Sequence, residues 1–401
     1  MAKRVLLVNK FYYPRGGDCI VVMNTEALLR ENGVDAQVFA MEYSQNRPAK
    51  FKEQFASRVD FSGSFANLWR ALRRTLGMDD VRKSFAAVLD EFRPDVVHLH
   101  NIHSYLSPVV GKIAHDRGIR VVWTLHDYKL LCPRYDCLLN GKPCEQCVTG
   151  SKNGVLEHRC MKGSFPASAV AKMEALKWNR RVLEQNTDLF VCPSQFMASM
   201  MKKGGFDPSK TVVLNNFLDP VKLQQYQSLS DGVQREDYYC YVGRLSSEKG
   251  IEDLLAVASR LPYKLKVAGG GPLEPSLRIK YAGNANIEFL GIIDAVDVAK
   301  LLAGARFSIA PSQCYDNNPL SVVESLCAGT PVAGSHIGGI PELIADGSGL
   351  TFTPFDQDAI ATAIEQAMSR EWNHAEVARQ ALDKFGPQTH LNVLTKEIYG
   401  F

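Results

Sequence analysis

The chain has 401 residues, of which 46% are hydrophobic and 22% charged, and its net charge is +3. That balance is typical of a folded chain of two or three domains and excludes intrinsic disorder. The charge is too small for a dedicated nucleic-acid binder, so no nucleic-acid partner is expected. The uncharged stretch 325–341 is broken by glycines and two prolines, which excludes a lipid-facing helix there.

The N-terminus, Met1-Ala2-Lys3-Arg4-Val5-Leu6-Leu7-Val8, carries basic residues, but its apolar run stops after four. Secretory signals need an apolar region of about 7–15 residues. The start therefore reads as a first β-strand, buried on both faces, and the protein as cytoplasmic. After a Gly16-Gly17 turn, Cys19 to Glu31 has helical spacing and ends at Gly33. Further strands are predicted at Ala36 to Phe39, Val96 to Leu99, Val121 to Leu125 and Leu189 to Val191. After a turn-rich segment, 202–208, the pattern restarts with Thr211 to Leu214, and Asn215-Asn216 is a candidate hinge. Strands follow at Tyr238 to Val242, Leu265 to Ala268, Ile287 to Leu290, Phe307 to Ala310 and Pro331 to Ala333, with helices at Ile251 to Arg260 and Leu320 to Ala328. Alternating strands and helices predict parallel α/β sheets. We read residues 1–210 as one domain, with a cysteine-rich insertion at 132–160, and 211–386 as a second. The terminal helix, 387–401, is open to either domain, with packing back on the first as the expectation.

In such sheets, ligands sit at the carboxyl ends of the strands. The strand Tyr238 to Val242 runs into Gly243-Arg244-Leu245-Ser246-Ser247-Glu248-Lys249-Gly250 just before a helix. Two cations five residues apart at such a turn suit a diphosphate: Arg offers a planar fork, Lys a point charge, and the helix N-terminus its dipole. The alternative is a solvated loop with a Glu248–Lys249 surface pair. Gly269-Gly270-Gly271-Pro272 is no dinucleotide fingerprint and predicts only a tight turn or a close approach of backbone. After Phe307 to Ala310 comes the richest segment, Pro311-Ser312-Gln313-Cys314-Tyr315-Asp316-Asn317-Asn318-Pro319-Leu320-Ser321-Val322-Val323-Glu324. Asn318-Pro319 can start a helix, which leaves free N–H groups beside Asp316 and Asn317. Glu324, inside that helix, could take both hydroxyls of a ribose or be an ordinary exposed charge.

In the first half, Gly16 and Gly17 free backbone N–H groups for an anion or form a simple turn. His126, in Thr124-Leu125-His126-Asp127-Tyr128, follows a strand, and Asp127 either orients it or caps the next turn. Of His98, His100 and His103, the first two share one face of a strand, so one of them is a core candidate, whereas His103 is a candidate for lining a ligand site. Five cysteines crowd together as Cys132-x4-Cys137-x6-Cys144-x2-Cys147-x12-Cys160. That pattern suits a structural zinc, for which Cys132, Cys144, Cys147 and Cys160 are our choice, or else a set of free thiols. Finally, Arg58, Arg70, Arg73, Arg74, Arg82 and Lys83 interleave with Phe61, Phe65, Leu68, Trp69, Leu72 and Leu76. This is either an interfacial helix touching anionic lipid or a stripe with core on one side and water on the other.

Taken in order, these pieces resemble a GT-B-fold retaining glycosyltransferase of family 4 (glycosyl transferases group 1). The resemblance rests on Asp316 and Glu324 with seven residues between them, on Gly243-Arg244-Leu245 through Lys249-Gly250, and on Ala328-Gly329-Thr330-Pro331-Val332 and Gly338-Gly339-Ile340-Pro341-Glu342-Leu343. It covers essentially the whole chain. The family's first acid is usually Glu; Asp316 is one methylene shorter, and Asn317-Asn318-Pro319-Leu320 resembles a subgroup with an acid-Asn-X-Pro loop. The resemblance implies two Rossmann-like doubly wound parallel-sheet domains facing across a cleft. It implies a nucleotide-diphosphate sugar (UDP- or GDP-linked) as donor, and a glycan or lipid-linked acceptor in cell-envelope polysaccharide synthesis at the inner face of the membrane. Catalysis would need no metal cofactor. Implied catalytic residues are His126, Asp316, Arg244 and Lys249. Implied donor contacts are Gly16, Gly17, Arg244, Lys249, Gly271, Asp316, Asn317, Asn318, Pro319, Leu320 and Glu324, and His103 and Asp127 would face the acceptor. Rival readings are a sugar-nucleotide epimerase of the same shape, a non-catalytic zinc-stapled partner protein, and a nucleic-acid binder, which the low charge disfavours.

Overall fold

The computed structural model describes residues 2–61, 65–230, 234–344 and 347–401, with the backbone alone at 65 and 227–230. Two compact units emerge. The first comprises Met1–Leu139, Cys144–Leu214 and Leu391–Phe401; the second comprises Asn140–Pro143 and Asn215–His390.

The first unit is built on a six-stranded parallel sheet: β1 (Arg4–Val8), β2 (Asp35–Phe39), β3 (Val96–Leu99), β4 (Arg120–Thr124), β5 (Leu189–Cys192) and β6 (Thr211–Val213), in the order β2-β1-β3-β4-β5-β6. Val5, Leu6, Leu7 and Val8 are fully buried. An apolar run without alternation does this because helices cover both faces of the sheet. Val5 pairs with Ala36 on one side and Val96 on the other. The glycine turn leads into α1 (Gly17–Glu31). The chain's last residues return to this unit as a wide helical turn, Val393–Tyr399, where the Tyr399 hydroxyl bonds His98 Nδ1 at 2.7 Å and Arg120 Nε donates to the Ile398 carbonyl at 3.0 Å.

The basic stretch is not one surface. It lies partly on α2 (Phe65–Thr75), where Leu68 and Trp69 are exposed, at 47% and 55%. The Phe65 side chain lies outside the described residues. Arg74, expected among the surface cations, is instead fully buried. Its guanidinium pairs with Asp79 and Asp80 and donates to the carbonyls of Tyr105 at 2.8 Å and Ser57 at 3.1 Å. A buried cation persists when its donors are all met, and five N–H groups let arginine meet this many partners.

The second unit repeats the plan with β7 (Tyr238–Val242), β8 (Lys264–Ala268), β9 (Ile287–Gly291), β10 (Phe307–Ala310), β11 (Val332–Ser335) and β12 (Gly349–Phe352), in the order β9-β8-β7-β10-β11-β12. Alternation along β7 serves two cores. Tyr239 and Tyr241 join Leu254, Leu255 and Ile364 on one face; Tyr238 and Cys240 join Leu302, Val322 and Leu326 on the other. The two core helices that matter for the site are α3 (Ile251–Ala258) and α4 (Leu320–Cys327). The architecture is α/β with two Rossmann-like units of parallel sheet. Among the described residues no helix is long and apolar enough to cross a membrane.

Candidate functional site

In the second unit, β7 is flanked by β8 and β10, and the chain winds away from this pair in opposite directions. Such a switch point opens a crevice at the carboxyl ends of the two strands. Both segments singled out in the sequence lie there: the loop 243–250 follows β7, and 311–319 follows β10. They touch through Gln313 N, which donates to the Glu248 carbonyl at 2.9 Å. The Lys249 ammonium is bonded to one oxygen of Asp316, and the Ser312 hydroxyl donates to the other. Burial alone would push the Lys249 ammonium down, but the facing Asp316 carboxylate, helped by Cys314 and Glu248, raises it above the ordinary lysine value, so it stays charged. Arg244 is exposed and forms no ion pair among the described residues. Glu324, on α4, holds the Lys222 ammonium, with the carboxylate side chain only 12% exposed. It is therefore neither free nor an ordinary surface charge.

Glycines let these loops approach one another. Gly269 has φ +132°, and a Cβ there would lie 1.9 Å from the Gly243 carbonyl oxygen. The Leu245 N–H donates to the Gly270 carbonyl at 2.9 Å, and a Cβ on Gly271 would meet the Leu245 oxygen at 2.4 Å. The triple glycine thus supports the cationic loop by close backbone contact. Gly338 has φ +62°, and its Cβ would fall 2.5 Å from the Asp316 carbonyl oxygen, to which the Gly339 N–H donates at 2.6 Å. The acid loop is cradled in the same way. Asn318 is buried and holds the segment before it: its side-chain oxygen accepts from Asn216 N at 3.2 Å, and its carbonyl accepts from Asn216 Nδ2 at 2.9 Å. Pro319 caps α4, Leu320 is the first residue of that helix, and Asn317 is half-buried beside Asp316.

In the first unit, the switch point lies between β1 and β3. Gly16 is the extended cap of α1 and Gly17 its first residue; both are exposed, and no side chain caps the helix. His126 follows β4, and its Nε2 is 2.9 Å from His100 Nδ1 with the rings stacked. The His100 ring lies tilted against His98 with centroids 4.2 Å apart, and His98 bonds Thr124 Oγ1 and the Tyr399 hydroxyl, each at 2.7 Å. Sequence reading paired His98 with His100 but missed that His126 completes a row of three. The signal was there: alternation puts residues 98 and 100 on one face, and β4 is the neighbour of β3. Burial pulls the His126 imidazole below the usual histidine value, against the opposing pull of Asp18 and Asp127. His103 is pushed down to about 3, chiefly by burial, and stacks on Trp123 at 5.3 Å. Its Nε2 is 3.7 Å from Asp127 Oδ1, too long for a hydrogen bond. Asp127 is raised by burial and accepts from the Lys129 N–H at 2.9 Å, which makes it a turn cap.

The cysteines of the insertion are neighbours: burial first, and then the charges of Cys132, Cys160 and Cys144, raise the Cys147 thiol. Among the described residues no three His, Cys, Asp or Glu side chains are grouped to hold a metal. The Cys132 thiol shares a hydrogen bond with Cys137, which lies outside the proposed zinc set, and that hydrogen bond lowers Cys132 to about 6.

The comparisons decide the family. The model of Glycosyltransferase Family 4 matches residues 16–222, more than half of the chain, and that of glycosyl transferases group 1 matches residues 230–385. The chain belongs to glycosyltransferase family 4. It is 23% identical over 355 residues to a 42.6 kDa protein of the cps region of Klebsiella pneumoniae, covering 84% of this chain and 87% of that one. It is 30% identical over 168 residues to O-antigen chain mannosyltransferase B of Escherichia coli, which spans 39% of this chain and 42% of that protein. Anabaena HepE, solved in complex with UDP and glucose, has the same fold: its TM-score is 0.64 at 17% identity, with 99% of each chain covered. The glycosyltransferase is accordingly of the GT-B fold.

Proposed function

We propose that this glycosyltransferase moves a sugar from a UDP- or GDP-linked donor to a glycan or lipid-linked acceptor, with retention at the anomeric carbon. The observation that carries the reading is the Lys249–Asp316 pair at the switch point of the second unit, on the same loop as Arg244, which is exposed and forms no ion pair among the described residues. As the donor bond breaks, negative charge grows on the β-phosphate. Arg244, Lys249 and the N–H groups at the start of α3 supply the positive charge that stabilises it. Glu324 exchanges Lys222 for the two hydroxyls of the ribose. Asp316 and Asn317 face the sugar hydroxyls, while Asn318, Pro319 and Leu320 fix their loop. In the first unit, the neutral His126 is held by His100 and positions the sugar, and the Gly16-Gly17 turn offers backbone N–H groups to the diphosphate.

Both oxygens of Asp316 are engaged, by Lys249 and Ser312, which makes it a poor covalent nucleophile. The acceptor hydroxyl therefore attacks on the face the diphosphate leaves. The C1–O bond to the β-phosphate breaks, the new C1–O bond forms on the same face, and the hydroxyl proton passes to a departing phosphate oxygen. No metal is assigned a part, because protein cations already sit where the charge develops.

The O-antigen mannosyltransferase relative supports a role in envelope polysaccharide synthesis. Exposed Leu68 and Trp69, beside Arg70 and Arg73, would touch anionic lipid. The cysteine segment enters this reading as a thiol-bearing insertion. The test is NMR of the product formed from a UDP- or GDP-sugar: the anomeric configuration of the donor is retained. An inverted product overturns the retaining mechanism, and conversion of the sugar nucleotide without any acceptor would make the protein an epimerase.

A further inference from the structure

The first unit carries a cavity of about 700 Å³ that the site above does not use. This volume suits a small saccharide. The lining comes from the segments after β1, β2 and β3, with Lys162 added from the segment after β4, so the cavity opens beside that unit's switch point. Phe11 is the buried hub of its floor. Its ring contacts Tyr43 at 5.3 Å, Tyr13 at 5.6 Å and Tyr105 at 5.8 Å, and Phe61 stands edge-on to Tyr105 at 5.1 Å. Rings in such a cluster present flat apolar faces, on which the C–H face of a pyranose can lie, with phenol hydroxyls for its polar edge. Burial raises the Tyr43 and Tyr105 hydroxyls above the ordinary tyrosine value, so they remain neutral donors.

The second feature is charge. Arg15 lies 4.1 Å over the Phe11 ring, and Lys162 lines the same cavity; neither forms an ion pair among the described residues. Arg58 adds a third cation, 5.3 Å from the Tyr43 ring, held loosely by Asp60 at 3.8 Å. Glu42 and Asp60 are the acidic residues of the lining, so cations exceed acids. Lys162 sits just past the cysteine-rich insertion, so the fold of that insertion delivers a cation to the rim.

We propose that this cavity is the acceptor subsite and that it selects a saccharide with an anion attached beside the stacked pyranose ring. The inference rests on the transferase reading. The anion could be a uronate carboxylate or the diphosphate of a lipid carrier; both would meet Arg15 and Lys162.

The test is saturation-transfer NMR and calorimetry on the full chain with three probes: cellobiose, its terminal-uronate form cellobiouronic acid, and glucosyl citronellyl diphosphate. We expect at least tenfold tighter binding of one or both anionic probes than of cellobiose. Arg15→Gln combined with Lys162→Gln, two exposed positions, abolishes that preference, and Tyr43→Ala weakens all three probes. The arm that binds tighter identifies the source of the anion. Equal binding of cellobiose and both anionic probes, or a preference that survives the double substitution, overturns the proposal. UDP and GDP are titrated in parallel: if neither binds, the transferase reading itself has failed, whereas a bound diphosphate without anion preference condemns only the acceptor inference.

Discussion

At the switch point of the second unit, both acidic side chains singled out in the sequence already have a cation on them: Asp316 has Lys249, and Glu324 has Lys222. The corresponding place in the first unit is built from imidazoles: His126 is stacked on His100, which leans against His98, and His103 is stacked on Trp123, with burial driving His126 and His103 below the usual histidine pKa. One region stores charge in pairs that an anionic ligand can rearrange. The other keeps His126 and His103 neutral, with His126 bonded to His100 and His103 stacked on Trp123. A diphosphate suits the first kind of site, and under the proposed function the neutral His126 adds a positioning contact to the sugar.

The sharpest way to break this contrast is to remove charge from the second unit. Lys249→Met should lower kcat about 10²–10³-fold, the size of effect expected for a lost group facing developing charge. A loss under fivefold would mean that Lys249 serves only to hold Asp316. In the first unit, His126→Ala should cost about 10–100-fold in kcat, less than Lys249 because a positioning contact is lost rather than a charge. Steady-state kinetics of both variants would rank them, and the reverse ranking would contradict the division of labour.

Stability experiments sharpen it further. Gly338→Ala forces a side chain into a left-handed backbone and against the Asp316 carbonyl, and should destabilise by about 1–3 kcal/mol in denaturant titration. Acid acts on the neutral histidines. His103 is held at about 3 and His390 at about 4, both below the unfolded value near 6.5, so the unfolded chain takes up protons that the folded chain refuses. Stability is therefore full above pH 6.5 and falls as pH drops towards 4, by about 1.4 kcal/mol per pH unit for each histidine. His103→Gln should flatten that slope; an unchanged slope would place the titration elsewhere. The smallest effect expected is Tyr399→Phe, about 1 kcal/mol for the lost bond to His98, read as a shift in melting temperature.

Much of this was legible in the sequence because its signals are local. Apolar runs such as Val5 to Val8 gave the strands, and the spacing of Arg244 and Lys249 gave the cationic loop. The β12 strand, Gly349–Phe352, was missed because its leucine and phenylalanine alternate with a glycine and a threonine in too short a run. Partnerships across long sequence separations were also invisible. Nothing near Glu324 announces Lys222, and nothing near Arg74 shows that Asp79, Asp80, Ser57 and Tyr105 would bury it. The cysteine spacing fits a zinc ligand set but does not announce that the Cys132 thiol pairs with Cys137.

The most direct test of the account is a calorimetric titration of UDP, GDP and ADP into the full chain and its Arg244→Ala variant. The account predicts that UDP or GDP binds the native protein and that the substitution weakens this binding at least tenfold, since Arg244 is the cation left open for phosphate. Undetectable binding of all three, or equal binding to the native chain and the variant, would contradict it.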